Sequence, residues 1–171
     1  MCDKIRKILS EQVPSAFTTT EYPGDDNVVY DNSGRYSDVV ETFNSFKGKH
    51  WNQLTPDVVL LNTSHIPFLT IPAFCFYLPA YLLTIATHTG NIDNLLNTTL
   101  YYLTPPESGS QDPESFLRKV ECFNTQQREV IKTLISLYIC VIYGSKNAQV
   151  YQTDSGLMRA ISFWGYNETL D

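Results

Sequence analysis

The stretch 68-FLTIPAFCFYLPAYLLTIA-86 decides the fold. It sits inside a longer run, Val58 to Ile92, in which no residue carries a formal charge. Its length is that of a membrane span. Against insertion stand Pro72 and Pro79, several Thr and Tyr, and the lack of a flanking Lys or Arg cluster to set topology. The run reads instead as a helix buried on most sides at the centre of a globular domain. Thr70, with Pro72 close behind, signals its start, and Gly90 closes it. Pro79 removes one backbone donor inside it and is expected to kink it.

Working outward, further helices take their places around this one. Thr55-Pro56-Asp57 combines an N-cap, a proline at the first helical position and an acid in the first turn, and predicts a short helix to about Thr63. Residues 36 to 46 suit a helix with Val39, Val40, Phe43 and Phe46 on one face and Gly48 as its stop. Residues 3 to 12 read as an amphipathic helix, with Ile5, Ile8 and Leu9 inward, Lys4, Arg6, Lys7 and Glu11 outward, and Pro14 ending it or marking its last turn. "NVVY" (27–30) is a short extended segment with no obvious strand to pair with.

Downstream, residues 92 to 102 form a helix stopped by Thr104-Pro105-Pro106, and "ESGSQ" (107–111) is the most flexible linker. Asp112-Pro113-Glu114 starts the next helix, to about Cys122. After a cap at Asn124 or Thr125, the residues Val130, Ile131, Leu134, Tyr138, Val141 and Ile142 recur at helical spacing as a second core helix, ended by Gly144. A last helix near Gly156 to Trp164 carries Leu157, Ile161 and Trp164. The expected fold is all-α. It is a single-domain irregular bundle of about eight helices around two long apolar ones, spanning residues 1–171, with the extended segment near 27–30.

Composition agrees and excludes several functions. A chain of 171 residues, 43% hydrophobic and 13% aromatic, can bury a core without staples. Twelve basic against eighteen acidic residues give a net charge of -6. That argues against nonspecific nucleic-acid binding and against docking on an anionic membrane, and it suits a basic protein partner. The start, "MCDKIRKILSEQ", is charged and amphipathic, unlike a signal peptide. Cys2, Cys75, Cys122 and Cys140 are scattered, with no C-x-x-C pair and no histidine at metal spacing. Cys75 and Cys140 lie in apolar runs and read as small hydrophobes. No cysteine has an adjacent basic residue, so no lowered thiol pKa is indicated. The expectation is a reduced, cytoplasmic protein in which the sequons at Asn62, Asn97 and Asn167 are chance matches.

Candidate chemistry concentrates in "YPGDDNVVYDNSG" (22–34). Asp25, Asp26, Asn27, Asp31 and Asn32 are hard oxygen donors that suit Mg²⁺ or Ca²⁺, but their spacing is not that of an EF-hand. The same residues also cap helices and bond the backbone in turns. Tyr22, Tyr30 and Tyr36 interleave with the acids, and tyrosine is enriched at interfaces. A second block is "FKGKHW" (46–51). There Lys47, Lys49, His50 and Trp51 read either as an anion or acid–base site or as a basic helix end with a packed indole. If the loop folds back on this block, acid meets base. Tyr77 and Tyr81, one helical turn apart, line a pocket or sit in the core with hydroxyls on backbone acceptors. His65 and His88 flank the apolar helix and read as capping or core residues. There is no nucleophile elbow, P-loop or dinucleotide fingerprint. No catalytic residue is assigned and no cofactor is expected.

The blocks PGDDN-[IV]-VYDNSG, FKGKHW, YLPAYLL and LTPPE follow one another in this order. The set resembles an uncharacterised bacterial family, a domain of unknown function, over about residues 5 to 164. The resemblance implies a soluble, mostly helical single domain and no known activity, so it transfers no functional residue.

Three functions follow. The first is a non-enzymatic interaction module, immunity- or inhibitor-like or a regulatory adaptor, that uses the acidic tyrosine loop. The second is a metal-dependent hydrolase with Asp25, Asp26 and Asp31 around the ion and His50 as acid or base. The third is a small-molecule binder built on Tyr77 and Tyr81.

Overall fold

A computed structural model of the chain describes residues 1–109, 113–144 and 152–166. Among them are α1 (Cys2–Ala16), α2 (Ser37–Phe46), α3 (Pro56–Leu61), α4 (Ile71–Thr87), α5 (Asp93–Tyr102), α6 (Pro113–Glu121), α7 (Thr125–Tyr138) and α8 (Ser155–Trp164). Short 3-10 helices fill Asp25–Asn27, Trp51–Gln53 and Thr63–Phe68, and a π-helical turn, Ile139–Tyr143, prolongs α7. The fold is all-α, as the periodicities predict. The helix start at Asp112 and the sequon at Asn167 lie outside the described residues, as does part of the 107–111 linker.

α4 is the centre. Thirteen of its seventeen residues are buried, and no described helix is long and apolar enough to cross a membrane. Thr70 caps it, its Oγ1 accepting from the Ala73 N–H at 3.2 Å. α1 lies along both α4 and α7. Ile5, Leu9, Val13 and Ala16 form its buried stripe, while Ile8 stays half-buried. Arg6, expected to face solvent, instead donates to the carbonyls of Ile85 at 2.6 Å and His88 at 3.3 Å. A guanidinium at the C-terminus of α4 satisfies carbonyls that have no helical partner and complements the helix dipole.

Other expectations are also corrected. α1 runs past the expected end near residue 12 to Ala16, with Pro14 marking its last turn, because the proline costs one helical hydrogen bond while buried Val13, Ala16 and Phe17 hold the turn. Val40 is exposed, and Thr42 takes the buried place on α2 beside Val39 and Phe46. "NVVY" does find a partner: Val29 bridges to Leu69, with the Tyr30 N–H on the Phe68 carbonyl and the Thr70 N–H on the Val28 carbonyl, both at 3.2 Å. The residues just before α4 therefore supply the other side of a single antiparallel bridge.

The four cysteines are not all reduced. Cys2 and Cys140 form a disulfide across 138 positions, tying the start of α1 to the π turn after α7. Both cysteines are brought there by the packing of α1 on α7, which their positions in the sequence do not reveal. Closing so long a loop stabilises a fold by on the order of 4–5 kcal/mol in the chain-entropy account.

Candidate functional site

The opening loop does fold back on the Lys47–Trp51 block, with α4 as its floor. Tyr22 is the connector. Its hydroxyl donates to Asp25 Oδ1 at 2.6 Å and accepts from the Gly48 N–H at 2.8 Å. Gly48 can aim that N–H because it holds φ of 68°, a conformation open to glycine at little cost. The Tyr22 ring stands edge-on to Phe76 of α4 at 5.3 Å. Burial first, then the hydrogen bond to Asp25, raises the Tyr22 phenol above its ordinary pKa.

Beneath it, the Tyr77 hydroxyl reaches the Phe46 carbonyl at 2.7 Å and the Lys49 carbonyl at 3.1 Å, gripping the turn after α2. Tyr81 stacks on Phe46 at 6.3 Å but its hydroxyl is buried without a partner. Burial raises both phenols. The backbone acceptor expected for each hydroxyl exists for Tyr77 alone.

Acid meets base at one point. Lys47 Nζ lies 3.9 Å from Asp25 Oδ2 and 4.8 Å above the Phe43 ring. With the two side chains 47% and 44% exposed, this pair contributes roughly 0–1 kcal/mol. His50 sits at the start of the 3-10 helix Trp51–Gln53: its ring Nδ1 lies 2.9 Å from Asn52 Oδ1 and 3.4 Å from the Asn52 backbone nitrogen, and its backbone N–H donates to Gln53 Oε1 at 2.6 Å. Its ring packs on Phe76 and Trp51. Trp51 is buried, its indole N–H unpaired.

The other loop residues diverge from this cluster. Asn27 Nδ2 donates to the Pro23 carbonyl at 3.0 Å. Asp31 accepts from the Ser33 N–H at 3.0 Å, and hydrogen bonds from Ser33, hydroxyl first, hold its carboxyl below the usual range. Asp26 is exposed, and Tyr30 is 63% exposed. Asp25 and Asp31 are thus engaged in separate turns, and among the described residues no three His, Cys, Asp or Glu side chains are grouped to hold a metal ion.

The loop and α2 together form the most acidic stretch of the chain. Residues 21–41 carry six carboxylates (Glu21, Asp25, Asp26, Asp31, Asp38, Glu41) against Arg35, a balance of -5 within a chain of -6. Tyr30 and Tyr36, 63% and 55% exposed, stand among them.

Two further features escape sequence reading. A cleft of about 970 Å³ opens between α5, α6 and α8, lined by Tyr101, Tyr102, Pro105, Phe116, Lys119 and Arg159 among others. The block "YLTPPE" supplies one wall, which was its only signal. Neither Tyr77 nor Tyr81 lines it. The second feature concerns the two free thiols. The Cys75 thiol on α4 donates to the Lys119 carbonyl at 3.8 Å and the Cys122 thiol just after α6 to the Arg118 carbonyl at 3.4 Å, and the influence of Cys75 holds the Cys122 thiol below its ordinary pKa. A lowered thiol pKa was not expected because the cause is a residue 47 positions away in sequence.

The chain matches the profile of a family of unknown function, DUF6714, over residues 11–166, and it belongs to that family. Searches of curated proteins and of solved structures find no match.

Proposed function

We propose that the chain is a single-domain protein-docking module whose 21–41 face seats a basic segment of a partner protein. The observation that carries this reading is the concentration of charge: five of the six net negative charges lie on one tyrosine-bearing stretch. Exposed Tyr30 and Tyr36 supply apolar area at low entropic cost, and the carboxylates supply steering and register. Asp25 is an anchor of the loop through Tyr22 and Lys47, so the contact residues are Asp26, Tyr30, Asp31 and Tyr36.

The test is a fluorescence-anisotropy titration with an Arg- and Leu-rich peptide and its Glu-substituted counterpart, at low and physiological ionic strength. The basic peptide alone should bind. Tyr30→Ala with Tyr36→Ala should weaken it roughly tenfold or more while circular dichroism stays unchanged. Binding that ignores the tyrosines, or that vanishes at physiological salt, overturns the reading, since it reports charge attraction alone.

A second reading, small-molecule binding, is favoured by the cleft, whose volume falls within the range of ligand sites. It moves from Tyr77 and Tyr81 to the walls around Tyr102 and Arg159.

A further inference from the structure

The cleft between α5, α6 and α8 combines an apolar lining with positive charge. Leu100, Phe116 and Leu157 line it and are buried. The rings of Tyr101 and Tyr102 meet edge-on at 5.2 Å, and Tyr101 is 71% exposed. Arg159 and Lys119 line the same space.

The carboxylates that line it, Asp154 and Glu107, are already engaged. Asp154 accepts from the Tyr143 hydroxyl at 2.7 Å and, as the cap of α8, from the Leu157 N–H at 2.9 Å. Glu107 accepts from Arg159 Nη1 at 3.2 Å, and its side chain is 73% exposed. The donors are built differently. Arg159 is fixed by its Nε on the Pro105 carbonyl at 2.9 Å, while among the described residues its Nη2 makes no hydrogen bond. Lys119 Nζ stands 5.2 Å over the Tyr102 ring and 5.5 Å over Phe74, so its charge is held against the aromatic wall.

We propose that this cleft binds a small-molecule anion bearing an aromatic ring, with the carboxylate or phosphate on Arg159 and Lys119 and the ring against Tyr101, Tyr102 and Phe116. The inference rests on the small-molecule reading of the cleft and adds the ligand's class to it. A cationic ligand meets two carboxylates that the chain itself already satisfies. A neutral ring gains the apolar lining but leaves the guanidinium edge without an acceptor. A carboxylate or phosphate matches the planar N–H fork of arginine. Glu107 yields its place beside Arg159 at little cost, because an ion pair with so exposed a carboxylate contributes little. The ring supplies the rest through offset or edge-on contact with the tyrosines. A volume of about 970 Å³ takes a ligand of two fused rings.

The experiment titrates the full chain by calorimetry, at physiological ionic strength, with 2-naphthoate, 2-naphthyl phosphate, 2-naphthalenemethanol and 2-naphthylmethylamine. The probes share a ring system and differ in charge. At least one anion should bind roughly tenfold tighter than the alcohol, with the amine weakest. Which anion binds tighter separates a carboxylic acid from a phosphate ester as the source. Arg159→Met should weaken the better anion roughly tenfold and Lys119→Met roughly threefold, while the alcohol stays within about twofold for both. Arg159 also holds the Pro105 carbonyl, so thermal melts check the fold, and Lys119→Met, which leaves that bond intact, carries the charge test if Arg159→Met unfolds. No binding by any probe overturns the proposal and the small-molecule reading together. An alcohol or amine that binds as tightly as the anions, or an anion affinity that neither folded variant lowers, overturns the anion assignment and leaves the small-molecule reading standing.

Discussion

The two halves of the loop 22–34 behave as opposites. From Tyr22 to Val29 nearly every inward group is tied down. Tyr22 and Asp25 lock onto each other and onto the turn after α2, and Val28 and Val29 are 0% and 3% exposed. The Thr70 hydroxyl also donates to the Asn27 carbonyl. From Asp31 to Tyr36 the backbone returns to the surface, and the hydrogen bonds there are local ones within single turns. The lesson is that acid density in a sequence mixes two populations. Asp25 is spent on structure, while Asp26 and Asp31 owe the fold little.

The largest effect that tests this contrast comes from Val28→Asp. A carboxylate at a fully buried position with no partner should cost roughly 3–5 kcal/mol. Asp26→Asn, a few residues away and exposed, should stay within about 0.5 kcal/mol of wild type. Urea denaturation of both decides it. A Val28→Asp protein as stable as the wild type would mean that the first half of the loop is not anchored at all.

A smaller effect separates the two tyrosines beneath the loop. Tyr77→Phe removes the donor that the Phe46 and Lys49 carbonyls share, and it should cost about 1–2 kcal/mol. Because the same turn presents the Gly48 N–H to Tyr22, the loss should also reach the loop, and the Gly48 amide should exchange faster with solvent. Unchanged exchange at Gly48, with global stability lowered, would show that Tyr77 braces the core but not the loop.

Much of the fold was legible because its signals are local. Thr55 and Thr70 each cap the helix their Thr-Pro patterns announce, and Asn124 with Gln127 closes a capping box. The uncharged run around α4 could only be satisfied by burial. What stayed hidden depends on partners far apart in sequence. Cys2 with Cys140 and Arg6 with the end of α4 are each set by how helices pack. The candidate site was half visible. The loop and the Lys47–Trp51 block stand out by composition and do meet, through Tyr22, which in the sequence is only one of three interleaved tyrosines. His50 stands at the start of the 3-10 helix, and the local signal for that is Gln53, three positions on, whose side chain accepts the His50 backbone N–H.

The smallest effect at neutral pH is the most discriminating about Tyr81. Its hydroxyl is buried with no hydrogen-bond partner, so Tyr81→Phe removes a desolvation penalty and no bond. The substitution should leave stability equal to wild type or raise it by up to about 1 kcal/mol, the reverse in sign of Tyr77→Phe. The difference should grow with alkali. Burial raises the folded-state pKa of Tyr81 above its ordinary value near 10, so the folded protein keeps a proton that the unfolded chain releases. Stability that is complete below pH of about 10 is therefore lost as the pH rises beyond it. Phenylalanine has no proton to lose, so Tyr81→Phe should melt later than wild type in alkali by a margin that widens with pH. Thermal melts at neutral pH and in alkali, with tyrosinate absorbance recorded alongside, measure it. If Tyr81→Phe is less stable than wild type at neutral pH, the hydroxyl has a partner after all, and the asymmetry between the two tyrosines of α4 fails.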